Sequence, residues 1–163
     1  MLRILMVFAV GFLLAGCRTS EFEVKVTDNI ISRDYIGNGA EWDPYDEAIA
    51  WGADLSEEDW AVLYERVEPM RMGYVRCMIN SPFLYWDATS RTYDKTRNIE
   101  KISRILQYCQ DNGITVVYGE FNPPEPQMKD SMQWVEMSVD YLDHLVNVLG
   151  FDCIRYFVIF NEP

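Results

Sequence analysis

The sequence is short of positive charge, of histidine and of long apolar runs, and each shortage closes off a class of function. Lys and Arg number 14 against 26 Asp and Glu, for a formal charge of −12. Such a chain has no basic face for a phosphate backbone, which excludes nucleic acid as a partner. His144 is the only histidine, which rules out a cluster of His metal ligands and leaves a Ser-His-Asp triad that single residue to be built on. The stretch "YIGNGAEW" lacks the third glycine of a dinucleotide fingerprint, and no Walker sequence occurs. No cofactor and no metal are implied. Of the four cysteines, Cys77, Cys109 and Cys153 lie in or beside apolar segments without the short spacing of a metal knuckle. They read as buried thiols rather than as a disulfide framework.

No apolar run reaches the roughly 20 residues that span a bilayer. The first residues, "MLRILMVFAVGFLLAGC", carry one early positive charge at Arg3 and an apolar stretch from Ile4 to Leu14. That pattern reads as a signal peptide over residues 1–16. Its end, Leu14-Ala15-Gly16-Cys17, resembles the bacterial lipobox, which implies cleavage before Cys17 and lipidation of that residue. An ordinary secretory signal followed by a chance cysteine is the alternative. The expected product is an exported lipoprotein, held by acyl chains on the periplasmic or cell-surface face of a membrane.

What is present is a core. Apolar residues make up 49% of the chain and aromatics 14%, enough for one domain. Residues 17–34 read as a tether with an edge strand at "FEVKV". Strand-like runs follow at Tyr35–Ala40, Gly73–Ile79, Ile114–Phe121 and Ile154–Phe160. Helical patterns lie between them. In "SEEDWAVLYERVEPM", Ser56 and Asp59 form a capping pair, with Trp60, Leu63, Tyr64 and Val67 on one face. "NIEKISRILQYCQDNG" sets Ile99, Ile102, Leu106 and Cys109 on one face and stops at Gly113. "DSMQWVEMSVDYLDHLVNVLG" aligns Val135, Val139, Leu142, Val146 and Leu149, and His144 on it reads as a surface residue. Alternation of strand and helix at a period of about forty residues predicts an α/β fold of parallel strands joined by right-handed crossovers. A doubly wound sheet and a (β/α)8 barrel share that local pattern.

Two long aromatic and acidic loops, "NGAEWDPYDEAIAWGADL" and "NSPFLYWDATSRTYDKT", follow the C-terminal ends of strands, where α/β folds bind ligands. Trp42 is either a sugar platform or a core plug, and Trp86 leans toward the cleft with its loop. Asp43, Asp46, Glu47 and Asp54 lack EF-hand spacing and read as a solvated face. On the third long strand, Glu120 either lines the cleft or sits in an internal ion pair. Asn122, before two prolines, reads as a turn residue.

The last strand runs into Asn161-Glu162-Pro163. "YFVIFNEP" resembles the fourth-strand motif of clan A glycoside hydrolases, and "YVRCMI" is similar to that clan's second strand. The resemblance spans roughly Tyr35 to Pro163 and is closest to the family 5-like or family 39-like members. It implies the N-terminal half of a (β/α)8 barrel acting on an oligo- or polysaccharide. Glu162 would be the general acid/base, Asn161 the contact to the sugar 2-hydroxyl, and Arg76 the support of the catalytic carboxylates. The third strand departs from many members, ending "YGEFNPP" without the His often found there.

A retaining glycosidase needs a second carboxylate about 5–5.5 Å from the first. In the clan it lies on the seventh strand, and no carboxylate of these 163 residues maps onto it. The chain alone is therefore expected to lack turnover and to be poorly soluble. Three readings follow: a fragment of a membrane-anchored glycosidase, a non-catalytic carbohydrate-binding lipoprotein, or a homodimer of half barrels.

Overall fold

A computed structural model describes residues 23–44 and 54–158. The signal peptide, Cys17, Asp46, Glu47, Asn161 and Glu162 lie outside the described residues. The chain divides into two compact units, Met1–Asp34 and Tyr35–Pro163. In the first, residues 23–34 are exposed and form no regular element. The alternation of "FEVKV" is thus not expressed as a strand from Glu23 onward, because alternation alone supplies no partner strand for its backbone groups.

The second unit runs β1 (Asn38–Glu41), α1 (Glu57–Val67), β2 (Met72–Asn80), β3 (Trp86–Asp87), β4 (Thr92–Tyr93), α2 (Ile99–Asp111), β5 (Thr115–Asn122), α3 (Met132–Asp143) and β6 (Ile154–Val158). Four of these strands make one sheet in the order β1-β2-β5-β6, and every pairing is parallel. Each parallel connection contains a helix, as parallel strands require. The short β3 and β4 pair antiparallel inside the second long loop, Trp86 opposite Tyr93.

Local chemistry sets the helix ends. Ser56 Oγ accepts the Asp59 N–H while the Asp59 carboxylate accepts the Ser56 N–H, a complete capping box at the start of α1. Asn98, at φ +51, opens α2 and donates its side-chain amide to the Phe83 carbonyl at 2.7 Å. Gly113, at φ +65, ends α2 and lets Ile114 N–H reach the Cys109 carbonyl at 2.8 Å. After α3 the chain continues through a wider π turn, His144–Val148, that closes on Gly150 at φ +80.

The core lies between the helices and one face of the sheet. Val75, Cys77 and Ile79 of β2 and Val116 and Tyr118 of β5 are fully buried, as are Ile102, Ile105 and Leu106 of α2. Each large aliphatic side chain so buried contributes roughly 1.5–3 kcal/mol of transfer free energy. Cys77, Cys109 and Cys153 are buried thiols, and burial pushes Cys109 up to about 12 and Cys153 up to about 11.

The third helix turns differently from the sequence pattern. It buries Met137, Ser138 and Tyr141, followed by Leu145 in the π turn, and leaves Val135 and Val139 exposed at 48% and 58%. The segment carries two apolar stripes. The one with Tyr141 wins, its ring packing on Tyr85 at 4.8 Å between centroids.

Candidate functional site

Period two along β2 and β5 splits their side chains between the two faces. Tyr74 and Arg76 of β2, with Val117 and Phe121 of β5, fall on the face away from the helical core and are half-buried. The register sets Arg76 between Glu41, the last residue of β1, and Val117. Its guanidinium donates to Glu41 Oε2 at 2.8 Å and lies 5.9 Å from the centre of the Phe121 ring. Both members of the ion pair keep more than a third of their side chains in solvent, so the pair adds only about 0.2–1 kcal/mol.

Beyond Glu41 the first strand peels away in two steps. Trp42 N–H bonds the Arg76 carbonyl at 2.9 Å, and Asp43 Oδ1 then accepts the Met78 N–H at 2.8 Å. Asp43, expected on a solvated face, thus extends the ladder by one side chain. Farther along, Asn80 and Asn122 meet at 3.4 Å, and the Ser81 hydroxyl donates to the Asn122 carbonyl at 3.1 Å. These contacts fix the C-terminal ends of β2 and β5 relative to one another. The loop after β2 is held from behind, since Arg97 donates to the Pro82 and Leu84 carbonyls.

Gly119 of β5 pairs with Met78 of β2 on one side and Val158 of β6 on the other. A Cβ there would meet Met78 Sδ at 2.7 Å and Val158 Cβ at 2.9 Å. The absent side chain lets Met78 close over β5, and Met78 is buried although it shares a face with Arg76.

Glu120 is the one strongly buried carboxylate among the described residues, 6% exposed. Its Oε2 accepts the Tyr85 hydroxyl at 2.7 Å and the Trp134 indole N–H at 2.9 Å. Its Oε1 has no partner among the described residues, and neither has the Tyr118 hydroxyl two positions earlier. Burial is the largest influence on Glu120 and raises its pKa, with the Tyr85 and Trp134 donors pulling the other way. Tyr85 is raised in turn, by burial first and then by the neighbouring carboxyl. Neither alternative from the sequence describes Glu120. Among the described residues it makes no ion pair, and it faces the helices rather than the Arg76 side.

Trp42, read as a sugar platform or a core plug, and Trp86, read as leaning toward the cleft, are both core residues. Trp42 is 5% exposed and packs edge-on against Tyr64 and Tyr108 at 6.3 and 5.3 Å, and Trp86 is 2% exposed. Neither offers a ring face to a ligand, because the aromatic cluster of α1 and α2 and the loop after β2 claim them. Asp54 pairs with Lys101 at 3.0 Å, which holds its carboxyl below the usual range. Among the described residues no group of three or more His, Cys, Asp or Glu side chains is placed to hold a metal ion, and no helix is long and apolar enough to cross a membrane.

Glu41, Tyr85 and Trp134 went unnoticed in the sequence. Glu41 had a signal, since it directly follows the first strand-like run, Tyr35–Ala40. The partners of Glu120 had none, being 35 and 14 residues away. Comparison with protein-family models gives no match, and comparison with curated proteins gives none either.

Proposed function

We propose that the chain carries the acid/base side of a retaining O-glycosidase of the clan A type, with β1, β2, β5 and β6 as the first four strands of a (β/α)8 barrel. The observation behind this reading is positional. The strand that leads to Asn161-Glu162-Pro163 is fourth in an all-parallel order, and Arg76 stands on the second, on the face away from the helices. Glu162 would protonate the leaving glycosidic oxygen, Asn161 would hold the sugar 2-hydroxyl, and Arg76, oriented by Glu41, would support the catalytic carboxylates by hydrogen bonding. The substrate is an oligo- or polysaccharide. Cys17 would carry the lipid that holds the protein on an exported membrane face, and Cys17→Ser should release it into the soluble fraction.

A non-catalytic carbohydrate-binding lipoprotein is the second reading. It keeps the half-buried sheet face of Tyr74, Arg76, Val117 and Phe121 as the sugar contact and asks no turnover of it.

One experiment separates the two. A small anion such as formate can attack the anomeric carbon in place of a missing nucleophile. The bond to the aglycon then breaks, and the Glu162 proton passes to the departing oxygen. Aryl glycosides with poor leaving groups should be cleaved by the protein only when formate is added, and Glu162→Gln should reduce that rate by about 10²–10⁴-fold. Saturable oligosaccharide binding without formate-dependent cleavage would leave the binding reading standing. Absence of both would refute each of them.

A further inference from the structure

The stripe that α3 leaves uncovered borders a groove of about 330 Å³ between α3 and strands β5 and β6. Its walls are apolar, chiefly Trp134, Val135, Val139 and Phe157. Two buried polar residues line it, Glu120 at 6% exposure and Ser138 at 8%. The other lining residues the groove exposes most, Met132 and Val139, are 68% and 58% accessible, so Glu120 marks its inner side.

A concave apolar surface with very few polar groups, one of them a perturbed carboxyl, is the usual character of a small-molecule site. The polar group also specifies the ligand. A carboxylate removed from water requires either a proton or a cation. Among the described residues no Lys or Arg forms an ion pair with Glu120. Lys129 and Asp130 also line the groove, one charge of each sign, and the Tyr85 phenol donates to the carboxyl from the core side. The aromatic rings of Trp134 and Phe157 beside it favour a cation further.

We propose that this groove binds a small apolar molecule carrying an ammonium group, with its cation toward Glu120 and its hydrocarbon between Trp134 and Phe157. The groove lies on the helix side of the sheet, opposite the proposed sugar face.

The test uses 2-phenylethylammonium and its neutral counterpart 2-phenylethanol, titrated at pH 7 into the 163-residue protein. Binding is read from the Trp134 indole N–H resonance, assigned with Trp134→Phe. The cation should shift that resonance saturably and bind about tenfold more tightly than the alcohol. Glu120→Gln should abolish the preference while the remaining amide spectrum stays in place. Equal affinity for the two compounds would overturn the proposal, since an apolar groove alone would then account for binding. So would the lack of any saturable shift. Should Glu120→Gln fail to fold, the comparison of the two compounds on the unaltered protein still decides.

Discussion

On the helix side of the sheet, Val75, Cys77, Ile79, Val116 and Tyr118 are shut off from solvent. On the other side Tyr74, Arg76, Val117 and Phe121, interleaved with them along the same two strands, stay half-exposed. Each side holds a carboxylate near a strand end. Glu41, on the open side, finds a guanidinium at 2.8 Å. Glu120, on the covered side, has a phenol and an indole in place of a cation. The difference shows what burial does to one chemical group. In solvent a carboxylate needs little support and lends its charge to Arg76; inside, it must be neutralised or compensated.

Substitutions on the two sides should widen or erase that contrast. The largest effect is expected at the core. Leu106→Ala should cost about 2–5 kcal/mol in denaturant unfolding, whereas Val117→Ala on the open side should cost under about 1.5 kcal/mol. Equal losses would mean that the open side is as tightly packed as the covered one. Gly119→Ala comes next. Met78 can swing its thioether aside but Val158 Cβ cannot yield without moving β6, so a loss of about 1–3 kcal/mol should accompany weakened amide protection along β6.

Glu120 should show itself through pH. Its folded pKa lies above the ordinary value of 4.5, so the folded state holds the proton more tightly than the unfolded chain does. Stability from this group is fully present below the unfolded value and is lost as pH rises through the folded one. Unfolding free energies across that window should fall for the natural protein and flatten in Glu120→Gln. A slope of opposite sign would mean that the carboxylate is better solvated than its surroundings allow. Glu41→Gln should have the smallest effect on stability, under about 1 kcal/mol and diminishing with added salt.

Much of the architecture was legible because local chemistry writes it into the chain. Ser56 and Asp59, Gly113, and the 3.6-residue spacing of Ile102, Leu106 and Cys109 announce α1 and α2 without reference to the rest of the fold. The parallel order follows from alternation and connection length. What escaped depends on contacts between distant segments. Nothing near Trp42 or Trp86 reveals that Tyr64, Tyr108 and the loop after β2 enclose them. The α3 segment offers two stripes, and the one that faces inward packs Tyr141 on Tyr85, a partner 56 residues away in the sequence. The β3–β4 hairpin was missed because each of its strands is two residues long, although Asp87, which accepts the Thr89 N–H at 2.8 Å, is the kind of residue that starts such a turn. Tyr35 and Ile36 read as strand, yet they are exposed and precede Gly37 at φ +116, so pairing begins only at Asn38.

The most direct test of the open side as a sugar site is a crystal structure of the protein with a bound oligosaccharide. The sugar is predicted to lie across the C-terminal ends of the parallel strands, with the Glu162 carboxyl within hydrogen-bond reach of a glycosidic oxygen and Arg76 on the same side of the sheet. A sugar seated on the helix side, or Glu162 directed away from it, would contradict the account.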